Sequence, residues 1–177
     1  QQTGAPPQDE REGAVVEQKF DGVAGWSLNS MQGDAEITGN QLQNMRNAVF
    51  PSSLLTYKAA GTRLDVLPAE QFGGRKLIVL LATPKAGSAV RMFFDAETYL
   101  LVRTIATVVS PQMGGEVEQT AELSDYRVVD GVKVPFHVVN SNAMQTGTIM
   151  LTKVEHNVPL DDTLFAGKLP AAPRPQR

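Results

Sequence analysis

The chain has no cysteine and only two histidines among its 177 residues. Without cysteine it cannot form disulfides, use a thiol nucleophile, hold zinc through thiolates or attach c-type haem covalently. His137 and His156 stand in no HxxH or HExxH arrangement, so both are interpreted as structural side chains rather than metal ligands. We therefore expect no metal and no cofactor.

Excess charge and long apolar runs are also lacking. The formal net charge is -3 and the pI about 5.4, which gives no electrostatic reason to expect binding to nucleic acid or to an anionic membrane. No apolar run approaches the roughly 20 residues that a transmembrane helix needs. The apolar share of 42% and the charged share of 20% are instead typical of a globular domain with a core.

Catalytic motifs are missing as well. Ser52 and Ser53 lack the G-x-S-x-G context of a nucleophile elbow, and no Gly-rich loop with a lysine links a strand to a helix. The acidic residues near 116–122 lack the spacing of a calcium-binding loop. The sequence therefore predicts no catalytic residues and a protein that is not an enzyme.

The two ends differ in composition from the middle. Residues 1–12 are polar without periodicity and are predicted to be flexible, residues 13–168 to form a single domain, and residues 169–177 to be a flexible Pro-rich tail. A chain that starts at Gln1 rather than Met is either a processed, exported protein or a fragment with an arbitrary boundary. The first reading favours an extracytoplasmic location.

What the sequence does contain is a succession of β-rich runs. They lie at about 13–20, 23–28, 34–37, 62–67, 75–83, 89–95, 99–109, 116–128, 132–140 and 147–156. The links are too short for parallel crossovers, so neighbouring strands should be antiparallel. We predict an α+β, mainly β fold: a strongly curved antiparallel sheet, a half-barrel of about nine or ten strands, with one or two short helices on its concave face.

One amphipathic helix stands out near 39–50. Thr38 is predicted to be its N-cap, with Gln41 completing a capping box. Apolar residues follow at helical spacing while the asparagines at 44 and 47 are predicted to face outward. Pro51 should end this helix, and Ser52 or Ser53 should cap a second short turn.

The turns carry their own signals. Asp130-Gly131 between β-branched runs predicts a hairpin with a primed turn, because glycine takes positive φ at little cost. A turn at 95–99 is predicted between the strands near 89–95 and 99–109.

Four motifs follow one another along the chain: D-G-V-A-G-W at 21–26, F-F-D-A-E-T-Y-L-L-V-R at 93–103, D-Y-R-V-V-D-G-V-K-V-P at 125–135 and D-D-T-L-F at 161–165. In this order they resemble one superfamily, the periplasmic lipoprotein carriers and lipoprotein-sorting-like domains (LolA, LolB and LppX-like). The closest likeness is to sorting-like domains at the C-terminal ends of larger exported bacterial proteins. The resemblance implies a bacterial extracytoplasmic protein with an apolar concavity for acyl chains or a lipidated protein.

Two features depart from the superfamily's pattern. Tyr99 stands where a glycine is usual, although that position often needs positive φ. The usual opening helix and strands before D-G-x-x-x-W are missing, so the domain looks truncated at its N-terminal edge. The strand containing Val15 and Val16 would then leave an open edge for a partner chain.

These observations lead to two alternative functions. In the first, the chain is a non-enzymatic lipid- or lipoprotein-binding carrier. The predicted ligand contacts share an apolar character and a place on the helical region or the facing strand: Leu42, Met45, Val49, Leu54, Leu55 and Met92. In the second, the chain is a structural subunit of a larger assembly, as a homo-oligomer or beside another chain, with Val15 and Val16 at the interface.

Overall fold

The structure is a computed structural model that describes residues 16–30, 33–48, 52–110 and 115–165. The described residues fall into two compact units. The first unit consists of the described residues within 1–37 and 162–177, and the second unit of those within Thr38–Asp161.

The first unit is a three-stranded antiparallel sheet in the order β1-β2-β3. Its strands are β1 (Val16–Phe20), β2 (Gly25–Asn29) and β3 (Ala35–Ile37), and a 3-10 turn spans Asp162–Leu164. The β1–β2 turn is closed by Asp21, whose Oδ1 accepts hydrogen bonds from the backbone N–H groups of Val23 at 2.8 Å and Ala24 at 2.7 Å. These hydrogen bonds to the charged form lower the pKa of Asp21.

The second unit holds the helices and a larger sheet. Its helical elements are α1 (Gly39–Asn47), a 3-10 turn (Ser53–Leu55) and α2 (Tyr57–Ala60). Its strands are β4 (Arg63–Phe72), β5 (Arg75–Thr83), β6 (Val90–Asp95), β7 (Leu101–Ser110), β8 (Gly115–Val129), β9 (Val132–Ser141) and β10 (Thr146–Met150).

These seven strands form one curved antiparallel sheet in the order β10-β9-β8-β7-β6-β5-β4. Each strand pairs with its neighbour in sequence, as the short links predict. The predicted mainly β fold, with a curved antiparallel sheet and few helices, is therefore confirmed, and the described residues contain ten strands. Over the same residues, no helix is both long enough and apolar enough to cross a membrane.

The core lies on one face of this sheet. Leu77, Val79 and Phe93 are almost completely buried, and Leu67 and Ile105 pack against them. Side chains alternate between the faces of a strand, and residues paired across strands share a face. Since Val79 pairs with both Leu67 and Phe93, all three point to the same side.

The structure places Thr38 at the N-cap of α1, as predicted: its backbone is extended and its carbonyl accepts a hydrogen bond from the N–H of Leu42 at 3.4 Å. The predicted hydrogen bond from the helix N-terminus to the Thr38 hydroxyl is wrong, because the side chain makes no cap hydrogen bond. The capping prediction holds at Ser52, whose Oγ accepts a hydrogen bond from the N–H of Leu54 at 3.2 Å. Helix α1 ends at Asn47, and the residues at 49–51 lie outside the described part of the chain.

The last strand is also shorter than predicted. β10 stops at Met150 rather than continuing to about 156. Lys153 and Glu155 follow the strand and form an ion pair with each other at 2.8 Å.

The two predicted turns have clear backbone signatures. Asp130 has φ 49° and Gly131 has φ 80°, which confirms the predicted hairpin turn. In the other turn, Asp95 Oδ1 accepts hydrogen bonds from the N–H groups of Glu97 at 3.0 Å and Thr98 at 2.9 Å. These hydrogen bonds stabilise the charged carboxylate and lower the pKa of Asp95; the one from Thr98 has the largest effect and the one from Glu97 the next.

Tyr99 closes this second turn in the left-handed region. Its φ is 58° and its side chain is 71% exposed. A residue with a Cβ costs about 1–2 kcal/mol there, and Tyr99 has little burial to offset that cost.

Tyr99→Gly should therefore stabilise the protein. Glycine adopts positive φ without the steric cost but loses more chain entropy on folding, so we expect a net gain of about 0.5–1 kcal/mol in the free energy of unfolding. Chemical denaturation of the variant and the parent measures it. Thr98→Gly, one residue earlier and without positive φ, should destabilise, and a loss of stability in both variants would contradict the prediction.

Candidate functional site

A cavity of about 350 Å³ lies inside the second unit, between the helical region and the sheet. Four parts of the chain line it: α1, the segment from the 3-10 turn to the start of β4, the loop after β5, and one face of the central strands. The lining residues are Asn44, Arg46, Asn47, Ala48, Ser53, Leu54, Thr56, Tyr57, Ala60, Thr62, Ala82, Pro84, Ser88, Val90, Met92, Ala106 and Val108.

The floor of the cavity is the sheet face opposite the core. Ala82 pairs with Val90, and Val90 pairs with Ala106, so these three side chains share a face. Met92, two residues along β6 from Val90, points the same way and is buried. The alternation of β5, β6 and β7 thus supplies a core on one side and an apolar floor on the other.

The roof is built by short helical pieces. The Ser52 cap starts the 3-10 turn that carries Leu54. Helix α2 follows with Tyr57 and ends at Gly61, whose φ of 66° is the left-handed conformation that terminates helices. Two apolar groups, Leu54 and the Tyr57 ring, therefore belong to the cavity wall.

Helix α1 is fastened to the loop between β5 and β6. Asn44 Oδ1 accepts a hydrogen bond from the N–H of Ser88 at 2.8 Å, and Asn44 Nδ2 donates to Ser88 Oγ at 3.3 Å. Asn47 Nδ2 donates to the carbonyl of Ala86 at 2.9 Å. We call this set of contacts, with Gly87 between them, the asparagine clip.

Gly87 lets the helix approach this closely. Its φ is +98°, and a methyl group there would stand 2.7 Å from Asn44 Oδ1 and 2.9 Å from Asn47 Nδ2. The prediction that Asn44 and Asn47 face outward is therefore wrong, because both bind the loop. Periodicity assigned them to the polar side of α1 and could not detect a polar partner from another strand pair.

The structure brings only part of the predicted ligand site together. Leu54 and Met92 both line the cavity. Leu42 and Met45 are half-buried on α1 but are not among the lining residues, and Leu55 is 73% exposed. Val49 lies outside the described residues.

Charged groups are scarce around the cavity. Among the described residues that line the cavity, Arg46 in the last turn of α1 is the one with a charged side chain. Within the described residues, no group of three or more histidine, aspartate or glutamate side chains is arranged to hold a metal ion. The chemistry that the lining offers is thus apolar contact, with amide and hydroxyl groups and one cation.

The predicted partner edge lies in the first unit. Val16 begins β1 and pairs with Asn29 of β2. β1 is a terminal strand of its sheet, with no further strand beside it among the described residues. Val15 lies outside them, so the predicted partner contact there stays a prediction.

Comparison with known proteins gives structural similarity only. The sequence matches no protein-family model and no curated protein. One similar structure is a LolA superfamily protein from Nitrosomonas europaea, at 12% identity and a TM-score of 0.48, covering 92% of this chain and 85% of that one. Another is a Vibrio parahaemolyticus domain, provisionally described as an outer membrane lipoprotein-sorting protein domain, at 14% identity and a TM-score of 0.44.

The second similarity covers 76% of this chain, which spans 62% of the length of the Vibrio structure. One of these structures is named as a LolA superfamily protein and the other as a lipoprotein-sorting protein domain. At identities of 12% and 14%, these structures assign neither a ligand nor an activity to this chain.

Proposed function

We propose that the chain is a non-enzymatic, extracytoplasmic binding protein that holds an acyl chain, free or attached to a protein, in the cavity between α1–α2 and the sheet. The observation that carries this proposal is the apolar floor formed by Ala82, Val90, Met92 and Ala106. A volume of about 350 Å³ lies within the range of about 300–1,000 Å³ typical of small-molecule sites.

The physical basis of binding would be burial of apolar surface. Each methylene removed from water contributes about 0.8 kcal/mol, so affinity should rise with acyl-chain length until the cavity is full. Met92 suits such a ligand because an unbranched thioether adapts to irregular chains. Arg46 adds a cation that matches the carboxylate or phosphate at the end of many lipids.

Filling the cavity tests this proposal. Ala106→Phe adds a ring to the floor, whereas Thr107→Phe adds the same ring one residue later, on the opposite face, where Thr107 is exposed. Fatty-acid binding is measured by displacement of a fluorescent acyl probe and by native mass spectrometry. We expect Ala106→Phe to weaken binding at least about tenfold, which corresponds to about 1.4 kcal/mol, and Thr107→Phe to leave it unchanged.

Three results would contradict the proposal. They are no binding by the parent protein, equal binding by both variants, and affinity independent of chain length. Circular dichroism of both variants shows whether the added ring has altered the sheet, and the comparison holds only for variants with the parent's spectrum.

A further inference from the structure

The four terminal strands of the two sheets differ in how they discourage pairing with another chain. β1 carries Glu17 and Lys19, and β3 is only three residues long. β4 contains Pro68 and an irregular register between Leu67 and Glu70. Charges, proline, bulges and shortness are the usual protections of exposed edges.

β10 has no charged residue, no proline and no bulge in its pairing with β9. No charged residue lies between Asn142 and Thr152, and that stretch contains no proline. All five residues of the strand are exposed, with Ile149 50% and Met150 74% exposed. Among the described residues, β10 pairs with β9 on one side and with no strand on the other.

The register fixes which backbone groups point to the open side. The N–H of Leu151 donates to the carbonyl of Phe136 at 2.8 Å, in the same antiparallel register in which Met150 faces His137. Hydrogen-bonded and non-hydrogen-bonded pairs alternate along an antiparallel ladder. Gly147 and Ile149 therefore bond to β9, while Thr146, Thr148 and Met150 present their N–H and C=O groups outward.

The strand is complementary to itself. If two copies pair antiparallel about a two-fold axis at Thr148, each Thr148 faces its counterpart and each Thr146 faces a Met150. Each Ile149 then faces a Gly147, which has no side chain and no neighbouring atoms where a side chain would be. In this pairing the largest branched side chain of the strand, Ile149, therefore meets its smallest residue, Gly147, and no like charges face each other.

We propose that β10 pairs with β10 of a second copy of this chain, joining two seven-stranded sheets into one. The inference does not rest on the ligand in the cavity. An edge of five residues gives an interface at the low end of known sizes, so the dimer should form and dissociate with concentration.

Sedimentation and light scattering across a concentration series test the proposal in the full chain. The parent should rise from 19.1 kDa towards the mass of two chains. Thr148→Lys places two like charges against each other at the axis and should keep the chain monomeric. Thr152→Lys adds the same charge beyond the strand, far from the axis, and should dimerise like the parent.

The lack of cysteine allows a direct test of the register. Thr148→Cys should be captured as a dimer by a short thiol-reactive crosslinker, because residues facing each other in a ladder lie within about 6 Å. Val66→Cys, exposed on terminal strand β4, serves as the matched control and should not be captured.

Two outcomes would overturn the proposal. One is a monomer at every concentration, with Thr148→Cys crosslinking no more than Val66→Cys. The other is a monomer in which hydrogen exchange shows the amides of Thr146, Thr148 and Met150 already protected, since the chain would then cover its own edge.

Discussion

Replacing Phe93 by alanine should lower the free energy of unfolding by about 3–5 kcal/mol, the cost typical of removing a fully buried aromatic ring. Phe93 is 1% exposed and packs with Leu77 and Val79 on one face of the seven-stranded sheet. The guanidinium carbon of Arg103 lies 5.8 Å from the centre of the same ring. The variant therefore loses apolar burial, leaves a cavity and removes a cation–π contact.

Phe94→Ala is the matched control for this prediction. Phe94 is the next residue of β6, points to the opposite face and is only half-buried. Removing the Phe94 ring should lower the free energy of unfolding by less than half as much as removing the Phe93 ring. Guanidinium denaturation of the parent and both variants measures the difference. Equal destabilisation by the two substitutions would contradict the assignment of the main core to the face of Phe93.

Gly87→Ala should have the second largest effect, because it acts on the backbone and on the asparagine clip together. An alanine at φ +98° costs about 1–2 kcal/mol. Its methyl group also displaces the Asn44 and Asn47 side chains, whose hydrogen bonds contribute about 0.5–1.5 kcal/mol each. We expect a loss of about 3 kcal/mol and weaker binding in the cavity, since α1 lines it.

Gly22→Ala separates these two contributions. Gly22 has φ +95°, close to that of Gly87, but a methyl group there meets no atom within 4 Å. The Gly22→Ala variant should therefore lose only the stability that the backbone contributes, and its ligand binding should be unchanged. Denaturation and the acyl-probe assay on both variants make the comparison. Equal effects of the two substitutions on binding would show that the clip does not position α1.

The sequence alone predicts much of the sheet because strands and tight turns depend on neighbouring residues. Asp130-Gly131 encodes a turn through the positive φ values that these two residues tolerate. The β-rich runs from 62 onward predict the strands of the larger sheet and, through the short links between them, their antiparallel order. Tyr99 has positive φ at the position of the motif where glycine is usual.

The candidate site could be predicted only in part. Leu54 and Met92 are recognisable as apolar residues in the right elements, and both line the cavity. Leu55, adjacent to Leu54 and equally apolar, is exposed because a 3-10 turn directs consecutive side chains to different sides. Periodicity in so short a segment does not determine which of two leucines faces inward.

The sequence thus determined the strands, the turns and the lack of thiol chemistry, since each depends on residue type and on near neighbours. Only the tertiary structure decided which side of β6 faces the core and which faces the cavity, because that depends on what packs on each face. It also decided the role of the α1 asparagines. Asn44 and Ser88 are 44 residues apart, and no local pattern records a hydrogen bond over that distance.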